Sequence, residues 1–305
     1  MKKKLSIFII LLFILFILIY PGDCAKAAAD GLVLWYENIL PALLPFSIFS
    51  NILIQSGYLD DLLFATSPVL NRLFFHHPQV AYPIVAGFLF GFPIGSKTTA
   101  DLLRKGKLSK EEANILCAMC NNISPAFVSG YILIASLGLY HGTWLTYAIL
   151  YLPPLFSGLF LLKRQKVHDG HNSLPAKSNL NFQIIDAGIM NGFETLLKLG
   201  GYVMLFSLLT QMCIHIAGNN EFTLIFLTGL TEITNGIHTA AHSFLPLKYK
   251  YSVMIAMTAF GGLSGLAQTA SMIKGTDISM RFYIVFRLFQ TAISTLLACC
   301  VWNFV

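Results

Sequence analysis

Glu232 lies inside an apolar run, within Gly229-Leu230-Thr231-Glu232-Ile233-Thr234-Asn235-Gly236. A carboxylate at membrane depth is costly to keep, so an ionisable residue in such a run marks an ion or proton path by default. Glu232, with Asn235 beside it, is therefore the candidate site for a coupling ion, H+ or Na+. A second polar group is Asn121-Asn122-Ile123-Ser124-Pro125. A half-helix starting at that proline presents free N–H groups, and these attract anions. Gly261, Gly262 and Ser264, with Gln268 one turn further on, offer the same from another part of the chain. Ser96 and Lys97 close a third group that begins at Gly87, and the Lys97 ammonium is suited to neutralise a carboxylate. Ser96, Lys97, Asn121, Asn122, Ser124, Gly261, Gly262, Ser264 and Gln268 together read as a substrate site for a small anion.

Plainer readings stand beside these. Asn and Ser next to prolines cap broken backbone. Glycines at helical spacing serve close helix packing. Lys97 can snorkel to the interface. Cys117-Ala118-Met119-Cys120 has the spacing of a metal-binding pair, but no second pair exists, and His238 and His242 lack a third ligand. No metal and no cofactor is expected. Neither a Ser-His-Asp order, nor a nucleotide-binding glycine loop, nor a catalytic carboxylate pair stands out, so no enzyme is expected.

The elements that must position these groups follow from composition. The chain has 305 residues, 56% hydrophobic and 11% charged, against about 25% charged in soluble domains. A soluble chain of this size cannot bury so much apolar surface in one core, so lipid is the main solvent. The fold expected is all-α: a polytopic membrane protein of two related, inverted halves with broken or re-entrant helices. The formal charge of +6 does not suggest nucleic acid. The lipid bilayer, a small-molecule anion and a second copy of the chain are the partners expected. Five of the six cysteines sit inside apolar stretches and form no secreted disulfide framework.

Four regions are expected. Residues 1–30 form an N-terminal anchor, with Lys2 to Lys4 ahead of an apolar run; a signal segment cut near Ala27 to Ala29 is the alternative, and retention is favoured. Residues 31–162 form the first membrane half, 163–185 a polar linker, and 186–305 the second half. In the first half, Gly31 to Gln55 is interrupted by Pro41 and Pro45, which remove backbone donors. Asp60 to His77 has the mixed character of a surface amphipathic helix. Val80 to Leu103 carries Gly87, Gly91 and Gly95 four apart, then a break at Pro93. Ser109 and Glu112 form a capping box that starts the next helix. The second half is read as apolar segments at Phe193–Ile216, Phe222–Leu245, Tyr251–Ile273 and Phe282–Trp302.

The two halves echo one another. Gly229 follows Gly87 by 142 residues (229 − 87), and Ser264 of Gly261-Gly262-Leu263-Ser264 follows Ser124 of Asn121-Asn122-Ile123-Ser124 by 140 (264 − 124). Paired interrupted segments in corresponding positions point to a transporter's binding site. If Val80 to Leu103 dips in and returns, the basic clusters Lys2–Lys4, Arg104–Lys110 and Lys163–Lys166 all fall on the inside, as the positive-inside rule requires. The halves then run in opposite directions, at the expense of placing Lys248 and Lys250 outside.

These residues carry a resemblance. Gly91-Phe92-Pro93-Ile94-Gly95-Ser96-Lys97, the basic loop with Glu111-Glu112-Ala113, Cys120-Asn121-Asn122-Ile123-Ser124-Pro125, Gly229-Leu230-Thr231-Glu232, and Gly261-Gly262-Leu263-Ser264 with Gln268 look like the YlbJ/SpoVV family of sporulation membrane proteins. That family contains the nucleoside-recognition or gate domain and is similar to concentrative nucleoside transporters. The resemblance runs from about Gly31 onward. It implies a role in endospore-forming bacteria: moving dipicolinic acid, a small aromatic dianion, across the outer forespore membrane during spore maturation. The chain is short for the family.

Three function classes follow. A transporter for a dipicolinate-like anion needs the polar motifs. A nucleoside transporter needs them too, but has no use for the Lys97 cation. A sporulation membrane scaffold that transports nothing would not need them, and buried polar breaks are expensive to keep without use.

Overall fold

A computed structural model describes the backbone of residues 2–58, 61, 80–165, 180–218 and 220–302. Among these residues all regular structure is helical. Most of the segment expected to be a surface helix, 60–77, and the core of the expected linker, 166–179, lie outside the described residues.

The first apolar run is α1 (Lys2–Ile19). Pro21, at the first turn of α2 (Pro21–Leu34), pre-sets helical φ and needs no N–H partner there. The chain bends by 109° between them. The helix then continues through a π-helical stretch, Trp35–Ile39, into α3 (Leu40–Ser56). The expected interruption at Pro41 and Pro45 is thus not a break. The Leu40 N–H reaches back to Trp35 O in the wide π turn just ahead of Pro41, and α3 runs on through Pro45.

The glycine segment splits into α4 (Ala81–Phe90) and α5 (Ile94–Arg104), which pack on one another across Gly91-Phe92-Pro93. Helices of 10 and 11 residues rise only about 15–17 Å, half of the roughly 30 Å hydrocarbon core. The pair therefore dips in and returns. The capping box forms as read: Glu112 N–H donates to Ser109 Oγ at 3.2 Å, and Ser109 N–H donates to Glu112 Oε2 at 2.9 Å. It starts α6 (Lys110–Cys120), which ends at Asn121. The chain is irregular over 121–124 and resumes as α7 (Phe127–Ser136), wound as a π-helix. Then comes α8 (Thr143–Lys163).

The second half begins earlier than its apolar run. α9 spans Phe182–Ala217, not Phe193–Ile216, because the Asn181 side chain caps Ile184 N–H at 2.9 Å. The added turns carry Gly188 and Gly192, which seat Ile52 and Ile48 of α3. Further along, Trp35 Nε1 donates to Leu196 O at 2.9 Å, Gly31 lies on Ser207, and His215 meets Asp23 at 3.1 Å. One set of numbers falls as the other rises, so α9 runs antiparallel to the α2–α3 helix. The segment Phe222–Leu245, read as interrupted between Gly229 and Gly236, is a second hairpin of half-span helices, α10 (Glu221–Thr231) and α11 (Ile233–Ala241), with Glu232 at its tip. α12 (Leu247–Phe260) and α13 (Gly262–Met272) are one span broken at Gly261, and α14 (Met280–Val301) completes the half.

Four helices among the described residues are long and apolar enough to cross a bilayer, five if the bent α1–α2 pair counts as one. The broken α12–α13 span is 61% buried, against 28–33% for α8, α9 and α14. It is the centre of the molecule, and the others present apolar flanks to lipid. The halves interlock crosswise: α5 packs on α13 and α11 packs on α7.

Close approach at the first hairpin depends on missing side chains. A Cβ at Gly87 or at Gly95 would collide with the Cys120 carbonyl. Gly87→Ala is expected to cost about 1–3 kcal/mol by overpacking, whereas Gly130→Ala, with nothing within 4 Å, should change stability by less than about 0.5 kcal/mol. Thermal unfolding of both in detergent checks this; equal midpoints would contradict the packing.

Candidate functional site

Two hairpin tips and two helix breaks meet. Gly91 adopts φ +78° and lies against Ser124, so the first tip nests on the first break. Phe92 N–H donates to Asn122 O at 2.5 Å. The Phe92 ring rests on Gly265 of α13, in contact with the other half. At the second break Gly261 and Gly262 adopt φ +86° and +67°, conformations that cost glycine nothing. Gly262 lies beside the carbonyls of Gly229, Leu230 and Thr231 at the C-terminal end of α10.

Asn121 ties the halves together. Its Nδ2 donates to Thr269 Oγ1 at 2.7 Å and to Tyr283 Oη at 2.9 Å, while its Oδ1 accepts from Ser96 N–H at 3.3 Å. The amide therefore caps α5 and reaches α13 and α14. Asn122 Nδ2 donates to Met119 O at 2.7 Å, and its Oδ1 accepts from Arg287 Nη1 at 2.8 Å and Gln290 Nε2 at 3.2 Å. Ser124 Oγ accepts from Phe127 N–H at 3.3 Å and caps the continuing helix. In this conformation the first break is occupied by the protein's own bonds.

The other expected residues divide. Ser96 is buried, with its hydroxyl donating to Pro93 O at 2.9 Å. Lys97 is turned away from the breaks and engaged: its Nζ donates to Asn51 Oδ1 at 2.8 Å and lies 3.4 Å from Asp101 Oδ2. Gln268 Nε2 donates to Ser264 Oγ at 3.0 Å, and its buried Oε1 has no partner. Glu232, 4% exposed, is the N-cap of α11 and accepts from Asn235 N–H at 2.8 Å. A negative side chain there meets the positive end of the helix dipole. A cavity of about 460 Å³ reaches this turn between α2, α7, α9 and α11; Asp23, Lys26, Asp30, Thr234, Asn235 and His238 are among its lining residues. It joins a charged surface to the carboxylate's own helix turn. The His238 and His242 rings lie with centroids 4.3 Å apart, tilted by 34°, and among the described residues no three His, Cys, Asp or Glu side chains group closely enough to hold a metal ion.

Reading along the sequence missed Arg287, Gln290, Tyr283 and Thr269. Arg287 is 1% exposed and sits inside the apolar helix α14. The signal was available: an ionisable residue within an apolar span is a functional candidate by the same rule that marks Glu232.

The arrangement defines a class: an α-helical integral membrane protein whose half-span hairpins and broken helices converge on one buried polar centre. Residues 37–140 match the family model described as Gate, nucleoside recognition. Along its length the chain is similar to the sporulation integral membrane protein YlbJ of Bacillus subtilis (strain 168), with 25% identity over 347 residues, 99% of this chain and 84% of that protein. No solved structure matches.

If Asn121 is the tie between halves, Asn121→Ala and Tyr283→Phe should not be additive. A double-mutant cycle on thermal stability should give a coupling of about 0.6–1.7 kcal/mol, the span measured for hydrogen bonds between membrane helices. A coupling of zero would remove the bond.

Proposed function

We propose that this chain is a membrane transporter that moves a small anionic metabolite, dipicolinate by its likeness to the sporulation protein, across the outer forespore membrane. The observation that carries this reading is the meeting of two hairpin tips, made of helices too short to span a bilayer, with two broken helices in the interior of the molecule. Broken backbone in a bilayer is tolerated only where protein or a wet cavity satisfies it. Two such breaks, answered by one polar centre, suit alternating access around a fixed site. The antiparallel course of α9 against α2–α3 supports halves of inverted direction. No covalent chemistry is needed, and we assign the protein no enzymatic activity.

Glu232 is the coupling residue in this reading, with Asn235 and the cavity at the first turn of α11 as the path by which H+ or Na+ reaches it. The substrate is held by the groups at the breaks: Asn121 and Ser124 on one side, Gly261, Gly262, Ser264 and Gln268 on the other, with Ser96 and Asn122 behind them. Lys97, paired with Asp101, serves the hairpin. The Gate match over residues 37–140 favours a second reading, nucleoside transport, which uptake of labelled uridine tests directly.

The decisive experiment uses a strain lacking the protein. Wild type should restore spore dipicolinate. Glu232→Gln, at equal abundance, should leave it at a tenth or less of wild type, on the order of the loss expected when an essential ionisable group is removed. Full restoration by Glu232→Gln, Asn121→Ala and Ser264→Ala together would overturn the assigned site, and normal dipicolinate in the deletion strain would overturn the substrate.

A further inference from the structure

Four half-helices begin at the central meeting point, and their N-termini differ. The first turn of α5 gives Ser96 N–H to Asn121 Oδ1. The helix continuing into α7 gives Phe127 N–H to Ser124 Oγ. The first turn of α11 gives Asn235 N–H to Glu232 Oε2. Only α13, among these four, begins without such an acceptor. Its N-cap is Gly261, which has no side chain to offer. The N–H groups of Gly262, Leu263 and Ser264 make no hydrogen bond to a side chain or to a backbone carbonyl outside the helix among the described residues.

Arg287 lies at this open end. A Cβ on Gly261 would stand 3.6 Å from Arg287 Nη2. The guanidinium is fully buried, and the hydrogen bonds it makes go to neutral amides: Nη1 donates to Asn122 Oδ1 at 2.8 Å and to Gln290 Oε1 at 2.7 Å. Its Nε has no partner. Among the described residues no carboxylate lies within ion-pair distance of it. A buried charge without a counter-ion is among the most expensive features a fold can carry. It stands beside the head of α13, where Gly262 also meets the last carbonyls of α10, and 5.9 Å from the centre of the Tyr283 ring; these dipoles and the ring ease the charge but supply no anion.

Resting on the transport reading above, we propose that Arg287 and the open N-terminus of α13 form the carboxylate-binding site of the protein. A carboxylate there supplies the counter-charge for the guanidinium and acceptors for the free N–H groups. Arginine suits this role because its planar fork matches a carboxylate in two parallel bonds. Asn122 and Gln290 are positioning residues: they hold Nη1 and leave Nε and Nη2 for the ligand. Gly261 and Gly262 keep the helix end bare. The site takes carboxylates and discriminates against neutral ligands of the same shape, because a neutral ligand leaves the charge unpaired.

The test uses the full-length protein in nanodiscs, with pyridine-2,6-dicarboxylate and its uncharged diamide as probes and titration calorimetry as the readout. Wild type should bind the dicarboxylate roughly 30-fold or more tightly than the diamide, the ratio expected for a buried charge left without its partner. Arg287→Gln should abolish that preference, and Arg287→Lys, which keeps the charge without the fork, should fall between. A wild type that binds both probes equally overturns the assignment whether or not Arg287→Gln folds. A wild type that prefers the dicarboxylate, with Arg287→Gln or Arg287→Lys keeping the whole preference, overturns the assignment and leaves the anion-transport reading standing. A wild type that binds uridine and neither pyridine compound overturns both.

Discussion

Every backbone N–H and C=O at half the membrane depth must find a partner inside the protein, because lipid offers none. Four interruptions of the helical ladder cluster in the interior of the molecule, and all but the head of α13 are answered by side chains of the protein. The carbonyls of the first break are taken up by tyrosines: Tyr151 Oη donates to Ile123 O and Tyr147 Oη to Pro125 O, each at 3.0 Å. Tyr131 Oη reaches across to Thr234 O in the other half at 3.2 Å. At the far end of α13, Arg104 Nη2 donates to Met272 O and Lys274 O, each at 2.9 Å, a cation at a helix C-terminus where the dipole favours it. Most of these partners come from another element, and several from the other half. The breaks and the docking of the two halves are therefore one constraint: neither half can satisfy its own interruptions alone.

This explains which parts were legible in the sequence. The breaks were visible because glycine, proline and asparagine are conspicuous in apolar runs, and the capping box at Ser109 and Glu112 is a local code that reads at a spacing of three. The hairpins were half visible. Val80 to Leu103 announced its turn through Pro93, and Phe222 to Leu245 its interruption through the polar stretch between Gly229 and Gly236, but the return of the chain there, with Glu232 ending α10 and capping α11, has no proline to mark it. The start of α9 was lost for a different reason: residues 182–192 are too mixed to read as membrane, and become helical through the Asn181 cap and the seating of Ile48 and Ile52 on two glycines. The π turn at Trp35–Ile39 has no sequence code at all; it is how one continuous helix accommodates Pro41 and Pro45.

At the site, types were legible and destinations were not. Lys97 looked like the cation for an anionic ligand, yet Asp101 stands one helical turn away, a spacing at which opposite charges pair, and Asn51 completes its coordination from α3. Arg287 was passed over because α14 reads as a plain apolar span, although its guanidinium is buried with no acid within ion-pair distance among the described residues. Asn121 and Asn122 were singled out as ligand groups, and in the structure their amides hold α5, α13, α14 and Arg287 in register.

The halves share a plan and divide the charge. At the first tip Phe92 and Pro93 are neutral, and α5 borrows its cap from Asn121; at the second tip Glu232 supplies both the cap and a negative charge. The positive charge sits on α14, beside the other break. On the proposed reading this separates the two ligands: a cation or proton arrives at Glu232 through the α2–α9–α11 cavity, and the anion sits at Arg287. The two places are joined by direct contact, because Gly262 at the head of α13 lies on the last carbonyls of α10, immediately before Glu232. Any movement of the second tip that accompanies a change in the state of Glu232 must therefore move the open end of α13. On the proposed reading a transporter needs a linkage between its driving ion and its cargo, and the contact of Gly262 with the end of α10 is where such a linkage would run.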